Sequence, residues 1–179
     1  MKSRWFDQPF CRVFPIAHLM RAEFPEYWLR IHSLPESKRY PENDIERQIV
    51  FERYSSFGTE LLGEDARCMI IRSRLNGFQS REAFIPEIEW TPIHRVIEDE
   101  AYHWDCFRGY ITWNSQALRK LLLAIAEDEE EHIAFLSETN DNVFIPYDGG
   151  ADGFSFDSAL LQKLSEQFAP WRSLHPLGL

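Results

Sequence analysis

The chain has 179 residues, of which 44% are hydrophobic and 15% aromatic, and its formal net charge is −10. A chain of about 150 residues removes roughly 70% of its unfolded surface from water, so this composition excludes a disordered polypeptide and fits one globular domain over residues 1–179. Residues 1–75 carry 12 Lys and Arg against 11 Asp and Glu, whereas residues 76–179 carry 7 against 18; an acidic second half argues against a nucleic-acid or anionic-membrane surface and suits a basic protein partner.

From the N-terminus, Ile16 to Phe24 reads as a short helix. Tyr27 to Leu34 alternates, with Leu29 and Ile31 on one face and Arg30 and His32 on the other, as in a half-buried strand. Pro35 ends it, and Glu36 to Tyr40, bracketed by Pro35 and Pro41, reads as an exposed loop. Asn43 followed by Glu46 is a capping-box pattern. Ile45, Ile49, Val50, Tyr54, Phe57 and Leu61 then recur at helical spacing until Gly63, which predicts a helix over 43–62 with Glu46, Arg47, Glu52 and Arg53 on its solvent face.

Cys68 to Ile71 is an unbroken apolar run of strand length, as expected of a central strand covered on both faces. Asn76-Gly77 marks a turn, and the prolines at 86 and 92 leave room for one or two edge strands in 75–100. Tyr102 to Ile111 alternates as a strand. A helix over 115–127 follows, capped by Asn114 or Ser115 and burying Leu118, Leu121, Leu122 and Ile125. Five consecutive acids, Glu127, Asp128, Glu129, Glu130 and Glu131, fall where a helix C-terminus already carries partial negative charge.

His132 to Leu136 and Asn142 to Ile145 read as strands joined by a polar turn at Glu138 to Asp141. Asp148-Gly149-Gly150 is a hairpin turn signal, and Phe154 to Phe156 continues the sheet. A last helix over 157–169 is capped by Asp157, with Phe156 stapled on Leu161 and a stripe of Leu160, Leu161, Leu164 and Phe168. Pro170 stops it. The expected fold is therefore α+β, a mainly antiparallel sheet packed with about three main helices.

The chemistry-bearing patterns are few. Cys11, Cys68 and Cys106 are too far apart for a zinc cluster and odd in number, so Cys68 and Cys106 are expected as buried free thiols. Asp7, Pro9, Arg12 and Pro15 interrupt any signal-peptide core, and no run reaches about 18 apolar residues, which suggests a cytoplasmic protein without a membrane span. No phosphate loop, nucleophile elbow, dinucleotide fingerprint or zinc-protease motif occurs, so no cofactor is implied. Asp148 and Asp152 flank three small residues and offer too few oxygens for a hard cation, so no metal is expected there. Their other use is catalytic: with His32 or His103 they would form the acid–base set of a small hydrolase or nuclease-like enzyme.

Leu29 to Tyr40, Pro146 to Asp152 and the closing Trp171-Arg172-Ser173-Leu174-His175-Pro176-Leu177-Gly178-Leu179 together resemble a family of bacterial proteins of unknown function. The resemblance covers most of the chain from about residue 27 and implies no catalytic residue. In size, acidity and lack of motifs the chain is also similar in type to the immunity proteins that neutralise bacterial toxins. The leading expectation is thus a cytoplasmic binding module. Glu127, Asp128, Glu129, Glu130 and Glu131 would meet a basic partner such as a toxin, and the Asp/His enzyme is the alternative.

Overall fold

The computed structural model describes residues 13–76, 88–97, 101–130 and 132–172, with the His94 side chain left aside. Its helices are α1 (Ala17–Glu23), α2 (Asp44–Leu62), α3 (Arg119–Ala126) and α4 (Ser158–Gln167). The strands are β1 (Trp28–His32), β2 (Arg67–Leu75), β3 (Thr91–Ile97), β4 (His103–Thr112), β5 (Ile133–Ser137), β6 (Val143–Tyr147) and β7 (Gly150–Phe154). They form one sheet in the order β1-β7-β6-β5-β2-β4-β3, antiparallel at every pairing. The fold is α+β.

Alternation along each strand divides the core in two. One face presents Leu29, Ile31, Ile70, Ile133, Phe135, Phe144 and Ala151 to α2, α3 and α4. The other presents Met69, Ile71, Leu136, Val143, Ile145 and Phe154 to Met20 and Phe24 from α1 and its exit. Cys68 to Ile71 is buried on both sides because β2 lies between β5 and β4. Cys68 and Cys106 are free and buried, and burial pushes the Cys68 thiol up to about 12, which keeps it protonated and unreactive at neutral pH.

Helix α2 begins as its capping pattern requires, with Asn43 Oδ1 accepting from the Glu46 amide at 3.0 Å. The return leg is displaced by one residue, since Glu46 Oε2 accepts from Glu42 N–H. Two expectations on this helix are corrected. Ile45 is 76% exposed and Arg53 only 8%. Counting from Val50, residues 50, 53, 54, 57 and 61 fall at i, i+3, i+4, i+7 and i+11, so Arg53 lies within the buried stripe, while Ile45 belongs to the first turn on its far side.

Helix α3 starts later than the apolar pattern suggests. Asn114 Oδ1 accepts from Ala117 N–H at 3.0 Å, forming a turn ahead of the regular helix. In α4, Asp157 accepts from the Ala159 and Leu160 amides. Phe156, expected to staple on Leu161, makes ring contacts on the β1 side. Its ring meets Tyr27 at 4.9 Å and Phe24 at 6.1 Å between centroids, because Ser155 bonds back to Tyr27 O and turns the chain toward β1. The Gly77 half of the expected turn, Pro86, Cys11 and residues 173–179 lie outside the described residues.

Candidate functional site

The glycine stretch separates into a turn and a strand. Tyr147 pairs with Gly150, so the turn itself is Asp148-Gly149, and only Gly149, at φ 87°, takes the left-handed conformation that suits glycine. Gly150 and Gly153 are strand residues, and their lack of a side chain permits close approach. A Cβ on Gly153 would sit 2.6 Å from Phe57 Cζ, and one on Gly150 2.5 Å from Ile31 O. The sheet therefore resumes at Gly150, earlier than the Phe154 start expected from hydrophobicity.

Helix α2 pins this hairpin from behind. The fully buried Tyr54 hydroxyl reaches Tyr147 O at 2.5 Å and Gly150 O at 3.0 Å, and burial drives its pKa far upward, so it remains a donor. In front, Arg39 Nε and Tyr40 Oη both donate to Asp148 Oδ2, the tyrosine at 2.8 Å. Ser33 N–H donates to Gly149 O at 3.0 Å. On the neighbouring strand, Arg30 pairs in register with Asp152. The two segments that carry the family resemblance, Leu29 to Tyr40 and Pro146 to Asp152, are thus halves of one clasp.

Asp148 and Asp152 serve different parts of that clasp. Asp152 is fully buried on the α1 face, where Arg21 Nη1 reaches Oδ2 at 2.5 Å, and Arg30 Nε and Tyr147 Oη reach Oδ1 at 3.1 Å each. Arg30 also lies 5.2 Å from the Trp28 ring and 5.4 Å from the Tyr147 ring. The guanidinium of Arg30 is held above its ordinary pKa by Tyr147 and Asp152 against the opposing effect of burial. Burial, reinforced by Asp152, raises the Tyr147 phenol well above its usual range. This set of groups ties α1 to the sheet.

The histidines of the enzyme alternative are not brought together. His32 ends β1 and His103 begins β4, five positions apart in the strand order, which at about 4.8 Å per strand is roughly 24 Å. His103 lies 4.0 Å from Asp105, itself bonded to Arg95. Among the described residues, no three His, Cys, Asp or Glu side chains are grouped to hold a metal ion, and no helix is long and apolar enough to cross a membrane.

The acidic run has a structural logic that its sequence concealed. Asp128, at φ 60°, closes α3 in the left-handed region, with Asp128 N–H on Ile125 O and Glu129 N–H on Ala124 O, a Schellman arrangement. Glu127 is drawn aside by Arg47 Nε of α2 at 2.5 Å, and the same guanidinium holds Asp44 at 3.1 Å. Glu130 turns inward and pairs with Arg72. Asp128 and Glu129 remain exposed, and Glu131 lies outside the described residues. Arg47 thus joins the start of α2 to the end of α3, and the joined surface shows Asp44, Ile45, Asp128 and Glu129.

A further group was hidden from sequence reading. Behind the Pro35 turn lies a cleft of about 490 Å³ lined by His32, Pro35, Ser37, Arg53, Trp171 and Arg172 among others. At its lip Glu36 and Ser37 have φ of 55° and 57°, conformations that cost non-glycine residues energy and concentrate near functional sites. His32 Nε2 and Ser37 Oγ are 3.3 Å apart. Burial, with the charges of Arg30 and Arg53, lowers the His32 pKa. The signal for Arg53 was its place on the apolar period of α2.

The fold and these sites define a single-sheet α+β protein built around a clasped Asp-Gly hairpin. The chain belongs to the family described as a domain of unknown function, DUF3885, whose model matches residues 16–176. Comparison with curated proteins and with solved structures finds no match.

Proposed function

We propose that this protein is a binding module that engages a basic protein partner, such as a toxin, through the surface where α2 begins and α3 ends. The observation that carries this reading is Ile45, 76% exposed beside the fully exposed Asp44 side chain and joined through Arg47 to the acidic end of α3. An apolar anchor ringed by charge is the common anatomy of a protein interface. Asp128 and Glu129 supply the field that steers a basic partner, while Glu127 and Glu130 pair with Arg47 and Arg72 within the fold. The hydrolase reading finds less support: His32 pairs in register with Gly150, between the two aspartates, but Asp148 is bonded to Arg39 and Tyr40 and Asp152 to Arg21, Arg30 and Tyr147, and His103 lies on a distant strand.

The test is complex formation with the protein encoded by the adjacent gene. Replacing the exposed Ile45 by Ala leaves stability within about 0.5 kcal/mol. As an interface anchor it weakens the complex by more than about 1 kcal/mol, roughly fivefold. An unchanged affinity removes Ile45 from the interface.

A further inference from the structure

Two arginines are buried among the described residues, Arg53 and Arg72. Arg72 has a carboxylate, Glu130, at 2.6 Å. Arg53 has none. One of its N–H groups, on Nη1, donates to His32 O at 2.9 Å, and its guanidinium lies 5.3 Å from the Trp171 ring centroid. Desolvation alone acts on its charge and lowers its pKa, with no acid opposing it. Burying a guanidinium without a counter-anion is costly, and a protein that does so leaves the fork available for one.

Arg53 also lines a cleft whose other walls carry apolar surfaces, polar groups and one carboxylate, Glu36, set against the cationic Arg53 and Arg172. Trp171 and Pro35 offer flat apolar surfaces, while Ser37, Arg172 and His32 offer polar atoms around the same space. Arg172 is already fixed by a 2.5 Å bond from Nη1 to Ser165 Oγ. At about 490 Å³ the cleft has the size of a small-molecule site, mostly apolar with a few placed polar groups. We propose that it binds a small organic anion: carboxylate or phosphate oxygens accept from the uncommitted edge of Arg53, Ser37 and Arg172 complete the set, and the apolar body rests on Trp171 and Pro35. This goes beyond the protein-binding reading and uses none of its residues, so either stands if the other fails.

The experiment is a titration of the full chain with inorganic phosphate and, separately, with benzoate, each against sodium chloride at matched ionic strength. Heat and the NMR signals of the Trp171 indole and the His32 ring are the readouts. The expected result is saturable binding of at least one anion with a Kd near or below about 1 mM, both signals moving together. Tighter phosphate binding assigns the phosphate-ester class, and tighter benzoate binding the carboxylate class. Arg53→Lys keeps the charge but loses the fork and weakens binding about tenfold or more; Trp171→Ala weakens benzoate more than phosphate. Should Arg53→Lys fail to fold, Arg172→Gln at its exposed position decides, with a loss of several-fold expected. No saturable change with either anion up to about 20 mM, or binding indifferent to these substitutions, overturns the proposal and leaves Arg53 as the group that caps the end of β1.

Discussion

Arg72 and Glu130 form an ion pair with 2.6 Å between Nη2 and Oε1, their side chains only 7% and 2% exposed. One member comes from the central strand β2 and the other from the acidic run after α3. The pair draws that run back over the sheet and separates the acids that build the protein from the acids that face outward.

Glu130→Gln leaves the Arg72 charge buried without this carboxylate, and the loss of one partner of a buried pair costs about 3–5 kcal/mol. Glu129→Lys, one residue away on the surface, stays within about 0.5 kcal/mol. Urea denaturation of both variants checks the contrast. Equal effects would mean that the run acts as one exposed patch.

Tyr54→Phe removes the hydroxyl that reaches Tyr147 O and Gly150 O. The carbonyls lose a donor in a dry place, so the expected cost is about 1–3 kcal/mol. It should appear as a lower denaturation midpoint with an unchanged slope, since the ring stays to fill its volume.

Gly153→Ala places a methyl 2.6 Å from Phe57 Cζ and 3.0 Å from Leu61 Cδ2. Forcing α2 off the sheet costs about 1–3 kcal/mol. Adding Phe57→Leu to Gly153→Ala restores part of that loss if the clash is with the ring, and thermal melting of the double variant shows it.

His32 titrates below its ordinary value of 6.5, chiefly through burial and then through Arg30 and Arg53. The unfolded chain therefore takes up this proton at higher pH than the folded one. The contribution to stability is complete above about 6.5 and declines as pH falls from there through the folded value. An NMR titration of the His32 ring should give a midpoint under 6.5, and His32→Asn should flatten the stability change across that window.

Much of this architecture is legible in residue order. Asn43, Asp157 and the Asp148-Gly149 step each act through local hydrogen bonds or local φ preferences, and each lies where those preferences put it. The apolar run at Cys68 needed no partner to announce a central strand. What escaped depended on contacts distant in sequence. Arg53 looked like a solvent-face charge because hydrophobicity alone defines the usual stripe, yet its position in the 3.6 period was inward, and its ring partner Trp171 lies far along the chain. Phe156 meets Tyr27 and Phe24, ring partners distant in sequence. The acidic run looked uniform until Arg47 and Arg72 divided it, and only the strand order tells His32, beside the Asp-Gly hairpin, from His103 on a distant strand.

The most direct test of the proposed interface is the affinity of the purified protein for the protein encoded by the adjacent gene at about 50 and about 300 mM salt, for the wild type and for the triple variant Asp44→Lys/Asp128→Lys/Glu129→Lys. Wild-type binding that weakens with salt, and a triple variant that binds at least about tenfold more weakly at the lower salt with little salt dependence left, is the predicted result. Equal affinity of the two proteins at low salt would contradict an acidic interface at the junction of α2 and α3.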